Sequence, residues 1–186
     1  MQDLALTTFR FEPDTCIPQA QPKSKDCVTL ESPALDVMTD LAVVKAETID
    51  PKITLPDAEK VMINRGVRAL FVTSKYPCIE GLITTADIYG EKPQKLVSQG
   101  NTRFQDMAVQ DVMTDLSGLD VVDYDEVKDA SVANLAATFK KLKSTHILVV
   151  QSAKREGPAR IRGVFSLTQM ERQLAGVHQT SIPSSQ

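Results

Sequence analysis

The sequence predicts an α+β fold made of two tandem repeats of βαββα type, packed as a pseudo-twofold pair. Three observations predict it. Asp36-Val37-Met38-Thr39-Asp40-Leu41 recurs unchanged as Asp111-Val112-Met113-Thr114-Asp115-Leu116, 75 residues later. An amphipathic stripe of helical spacing follows each copy. Each stripe then leads into two short apolar runs separated by turn residues. One such unit is too small to bury both faces of its sheet, whereas two in tandem can, each covering the other.

Taken in order, residues 1–31 carry Pro13, Pro18 and Pro22 among polar residues and read as a poorly ordered N-terminal arm. The first repeat, 32–89, opens with the Asp36 motif and a short strand at Val43-Val44. A helix follows from Pro56 to Arg65. Proline suits its first turn, Leu55, Ala58, Val61 and Met62 form its apolar stripe, and Gly66 supplies the stop. The runs Ala69-Leu70-Phe71-Val72 and Ile79 to Ile83 read as a hairpin turned at Ser74-Lys75-Tyr76-Pro77. Thr84-Thr85-Ala86-Asp87 then starts a second helix. Residues 90–107, with Gly90, Pro93, Gly100 and Asn101, read as the linker.

The second repeat, 108–176, has its short strand at Val121-Val122 and its stripe at Val132, Leu135, Ala136, Phe139 and Leu142. Strands are expected at His146-Ile147-Leu148-Val149-Val150 and at Arg160 to Phe165, around the longer connection Ser152 to Ala159. Ser166-Leu167-Thr168-Gln169 opens the last helix, and 177–186 reads as a frayed tail.

Composition excludes several function classes. Hydrophobic residues make up 42% and charged residues 24%, with a net charge of −3, so nothing global favours nucleic acid or an anionic membrane. Apolar runs reach only four or five residues, far short of the roughly 20 of a spanning helix. No basic stretch followed by an apolar block marks a secretory leader at the start. Cys16, Cys27 and Cys78 are an odd set without CxxC spacing, so a reducing cytoplasm is expected rather than a disulfide framework or a zinc site. No phosphate loop, nucleophile elbow or paired histidines at metal spacing appear, so no enzyme is expected. Residues 106–129 hold eight acids against Lys128 alone, and 139–162 hold seven bases against Glu156. Solvated faces are the plainest account of both; contact between protomers or with a charged partner is the sharper one.

The repeat resembles the cystathionine-β-synthase (CBS) domain, and the pair resembles a Bateman module. The resemblance rests on the two Asp-Val-Met-Thr starts, the helix–strand–strand order, and the ending Gly81-Leu82-Ile83-Thr84-Thr85-Ala86-Asp87. It covers roughly residues 32–176. The second ending, Gly163-Val164-Phe165-Ser166-Leu167-Thr168-Gln169, has glutamine where the family pattern has aspartate. Phe71 and Val149 stand where the family often has proline, and the second hairpin is enlarged.

The resemblance implies a stand-alone regulatory module without a required cofactor. It would bind AMP, ADP, ATP or S-adenosylmethionine between its sheets, pair into a homodimer, and act on a partner enzyme or transporter. It also implies that Val67, Arg68, Ala69, Thr145 and His146 line the cleft.

The chemistry of those residues is separable from the resemblance. A ribose presents two adjacent hydroxyls that one carboxylate can accept, and a phosphate needs a cation or free backbone donors. Asp87 suits the sugar and Thr84 the phosphate end, while Arg68 offers a planar fork to phosphate and Val67 and Ala69 an apolar floor. The competing account of Thr84…Asp87 is a capping box, in which both side chains satisfy their own helix. For Ser166…Gln169 the cap is the favoured account. His146 is expected to be neutral at pH 7 unless a phosphate raises its pKa. If Thr84 and Asp87 only cap, the module is a ligand-free scaffold.

Overall fold

The computed structural model describes residues 27–100, 102–151 and 160–176. The two predicted stripes are its long helices. α1 (Leu55–Arg65) buries Leu55, Ala58 and Met62, its N-cap Thr54 accepts from the Asp57 amide, and Gly66 ends it in the left-handed region at φ 65°. In the second copy, the helix Val132–Leu142 buries Val132, Leu135 and Phe139, with Ser131 and Asn134 closing a capping box. Lys143 ends it in the same left-handed conformation, at φ 56°.

Among the described residues, eight strands form two four-stranded sheets. They are β1 (Thr39–Asp40), β2 (Thr48–Ile49), β3 (Ala69–Val72), β4 (Gly81–Thr84), β5 (Thr114–Asp115), β6 (Val121–Asp123), β7 (His146–Gln151) and β8 (Arg160–Ser166). One sheet has the order β2-β3-β4-β5 and the other β1-β8-β7-β6. In each, a short strand runs parallel to a hairpin strand, and the two hairpin strands pair antiparallel.

The outermost strand of each sheet comes from the other repeat. β1, inside the first Asp-Val-Met-Thr-Asp motif, pairs with β8, and β5, inside the second, pairs with β4. The exchange obeys the pseudo-twofold in detail. Leu41 N donates to Arg162 O at 3.0 Å, and Leu116 N to Glu80 O at 3.1 Å. Ala34 N donates to Ala130 O, and Val109 N to Ile53 O, both at 2.8 Å. Burial follows the same rule: Ala34 and Val37 belong to the second copy's core with Phe139 and Phe165, and Val109 and Val112 to the first copy's with Met62 and Ile83. A third apolar cluster, built on Phe71, Leu82 and Leu148, draws on strands of both sheets. Arg162 also pairs with Asp40 across the exchange and lies over the Tyr124 ring, 5.1 Å from its centroid.

Glycine permits this close approach at two equivalent places. Gly81 faces Asp115 and Gly163 faces Asp40 in the registers of the exchanged strands. A Cβ on Gly81 would stand 2.3 Å from the Thr114 carbonyl oxygen.

Several expectations are corrected. Val43-Val44 is a turn, not a strand, and Val43 is 82% exposed. The Asp40 carboxylate accepts from Ala42 N at 2.8 Å and the Val43 and Val44 amides bond to Asp40 O, so this local turn overrides β propensity and the strand forms later, at β2. The second hairpin strand of the first copy starts at Gly81 rather than Ile79. The stretch 90–107 contains a helix, Glu91–Ser98, whose Pro93 lies in the first turn, where its missing N–H costs nothing. The end of the N-terminal arm is docked: Val28 is buried in the second copy's core and its amide donates to Gln173 O at 3.2 Å. The rest of the arm, the connection 152–159 and the tail 177–186 lie outside the described residues.

Candidate functional site

The left-handed turn at Gly66 sends Val67 and Arg68 into β3, and that entry faces the end of β8 in the other copy. There the last helix starts (Leu167–Ala175), with Ser166 as its N-cap residue. Between these ends lies a cavity of about 470 Å³, within the range of small-molecule sites. Val67, Ala69, Phe71, Leu82 and Val164 supply apolar surface, and Ser166, Thr168 and Gln169 supply polar groups.

Its charge is one-sided. Lys45, Arg65, Arg68 and Arg172 line the cavity against a single acid, Glu47. Glu47 lies 3.8 Å from Arg65, in a partly exposed pair that is worth little. Arg68 and Arg172 have no ion-pair partner among the described residues. An anion entering this crevice meets uncompensated guanidinium groups beside low-dielectric walls.

The structure brings together Val67, Arg68, Ala69, His146 and Ser166, five of the residues expected from sequence. Thr84 and Asp87 lie next to these residues, Thr84 paired with Ala69 across β3 and β4 and the Asp87 carboxylate acting on His146, but their side chains are turned to each other. Asp87 Oδ2 accepts from the Thr84 amide at 2.8 Å and the Thr84 hydroxyl at 2.7 Å, while the Asp87 amide donates back to Thr84 Oγ1 at 3.3 Å. This full capping box starts the short helix Thr85–Tyr89, and neither residue lines the cavity.

The other pair behaves the opposite way from its expectation. Ser166 makes no side-chain cap bond. Gln169 instead accepts from Thr39 Oγ1 at 3.5 Å, reaching the exchanged strand β1 that lies beside β8. Sequence reasoning therefore favoured the wrong account of Gln169, and it missed Thr39, Lys45, Arg65 and Arg172 as cavity residues. Of these, Thr39 carried a signal, since it sits in the repeated opening motif.

His146 is half-buried, and its Nδ1 lies 3.1 Å from Thr145 Oγ1. Burial pushes its pKa below the ordinary histidine value, and the Asp87 carboxylate pulls it part of the way back. The ring is neutral at pH 7. As pH falls through about 6.5, the unfolded chain takes a proton that the folded imidazole refuses, so stability drops. His146→Gln should therefore bring the urea midpoints at pH 7.5 and 5.5 closer together than in the wild type. An unchanged gap between them would remove His146 from this account.

Among the described residues no group of three or more His, Cys, Asp or Glu side chains is placed to hold a metal ion. Cys27 and Cys78 are exposed free thiols, and Cys16 lies outside the described residues. No helix among the described residues is long and apolar enough to cross a membrane.

The family model described as CBS domain matches residues 34–92. Among solved structures, the chain is similar to an uncharacterized conserved protein from Pyrococcus horikoshii, with a TM-score of 0.54 and 18% identity, over 86% of this chain and 99% of that one. It is similar to a putative signal-transduction protein with CBS domains from Burkholderia ambifaria MC40-6, with a TM-score of 0.52 and 20% identity, over 76% and 89%. It is also similar to the CBS domain of the bacterial CNNM/CorC family Mg2+ transporter, with a TM-score of 0.51 and 15% identity, over 79% and 78%. At these identities the likeness is one of fold. A search of curated protein sequences finds no match.

Proposed function

On the premise that residues 34–92 are a CBS domain within a tandem CBS fold, we propose that this chain is a non-enzymatic regulatory module binding an adenosine nucleotide between its two copies. The observation that carries the reading is the 470 Å³ cavity with four cationic side chains against one acid. Val67, Ala69 and Phe71 offer an apolar face to the adenine, and Arg68 offers its planar fork to a phosphate. His146 and Ser166 add polar contacts at the opposite strand ends. AMP, ADP and ATP fit this charge; S-adenosylmethionine, with its sulfonium cation, fits it less well.

Because both copies line the cavity, occupancy favours the arrangement of copies that closes on the ligand. A homodimer, and through it a regulated enzyme or transporter, would receive that shift. The test is thermal unfolding with AMP, ADP, ATP and S-adenosylmethionine. A nucleotide at 100 times its Kd should stabilise by about 2.7 kcal/mol. Arg68→Ala should abolish most of that response. Asp87→Ala should cost about 1 kcal/mol through its lost cap, yet keep the response. Loss of the response in Asp87→Ala alone would move the ligand to that carboxylate. No response to any of the four compounds would leave the scaffold reading.

A further inference from the structure

Gln169 stands in the second copy where Asp87 stands in the first, and the substitution inverts the chemistry of its wall. A carboxylate there would accept hydrogen bonds and suit a sugar diol. The Gln169 carbonyl oxygen is already engaged by the Thr39 hydroxyl, which leaves its NH2 group, two donors with no partner among the described residues. Arg172 lies three residues further along the same helix and Thr168 four residues before it, so these side chains share one face, and all three line the cavity. This wall offers donors and a positive charge, and none of the cavity-lining residues from that helix is acidic. The first copy contributes Lys45 and Arg68 to the cavity lining, so its side carries positive charge too.

A nucleotide with phosphate at one end only satisfies one of the two walls. Resting on the nucleotide reading above, we propose that the cavity is built for an adenosine phosphorylated at both ends of its sugar. One phosphate is at the 5′ position against Lys45 and Arg68, and the other is at the 2′ or 3′ position against Gln169 and Arg172. The second phosphate takes the place of the bare diol, accepting from the Gln169 amide and from the Arg172 fork. A carboxylate at position 169 would repel that group, whereas the amide admits it.

The test is calorimetric titration of the full chain with ADP, adenosine 3′,5′-bisphosphate and adenosine 2′,5′-bisphosphate. Each carries two phosphoryl groups, but the bisphosphates, as two monoesters, carry about one more negative charge near pH 7 than ADP, so the Gln169→Asp and Arg172→Gln arms assign the second phosphate rather than affinity alone. One bisphosphate is expected to bind at least tenfold tighter than ADP, and the two isomers distinguish the 3′ from the 2′ position. Gln169→Asp is expected to weaken the bisphosphate at least tenfold while changing ADP less than threefold; circular dichroism melts of the variant check its fold. Arg172→Gln should weaken the bisphosphate more than ADP. ADP binding as tightly as both bisphosphates overturns this inference and leaves the nucleotide reading standing, as does an equal loss of ADP and bisphosphate in Gln169→Asp. Failure of every adenosine nucleotide to bind overturns both.

Discussion

Gly81→Ala is expected to lower stability by about 3 kcal/mol, near the top of the usual range for inserting a methyl group where none fits. For a chain of this length that is about 6–12 °C in the thermal midpoint. The added Cβ would meet the Thr114 carbonyl oxygen at 2.3 Å and the Thr114 carbonyl carbon and Asp115 Cα at 3.2 and 3.3 Å. All three are backbone atoms of β5, so no side chain can swing aside. β5 must move off β4, which breaks their pairing and the bond from Leu116 N to Glu80 O. Gly163→Ala is the internal comparison. Its Cβ would meet the flexible Met38 side chain at 2.6 and 2.8 Å, and the Thr39 carbonyl oxygen only at 2.9 Å. It should cost clearly less. Urea unfolding of both variants measures the difference, and equal losses would mean that the backbone of β5 yields to the added methyl group as readily as the Met38 side chain does.

Phe71→Ala is expected to cost about 3–5 kcal/mol, the usual range for truncating a buried aromatic. Phe71 is 6% exposed, belongs to the apolar cluster with Leu82 and Leu148, and lines the cavity. Its removal should therefore also weaken nucleotide binding at least tenfold. Phe139→Ala separates the two effects. Phe139 is buried in the second copy's core and does not line the cavity, so it should cost similar stability with affinity retained. Titrations at a temperature where both variants remain folded decide the matter. Equal loss of affinity in both would attribute the effect to general loosening rather than to the cavity floor.

What was legible in the sequence was local. Leu55, Ala58 and Met62 announced a helix from Pro56 to Arg65 whose bounds the structure matches within a residue, and Val132, Leu135 and Phe139 announced its counterpart, because such a stripe lies within one segment. The strand exchange was not legible. Two identical hexapeptides carry no mark of which sheet each will join, and the choice is made by contacts such as that of Ala34 with Ala130. The site divided along the same line. Thr84 and Asp87 form the capping box that their three-residue spacing permits. Ser166 and Gln169 have the same spacing but do not, because Gln169 finds Thr39, 130 residues away in the chain. Val43-Val44 failed for a local reason that composition hides: one aspartate side chain, Asp40, organises the turn that removes them from the sheet.

The crossing of the opening strands has a consequence for how the protein comes apart. A protease that nicks the backbone between the halves would not release them, since each fragment keeps its partner's outermost strand clasped in its own sheet. Two separately made fragments should likewise recognise and complement one another. Either one alone would present a naked sheet border to solvent and would stick to its neighbours.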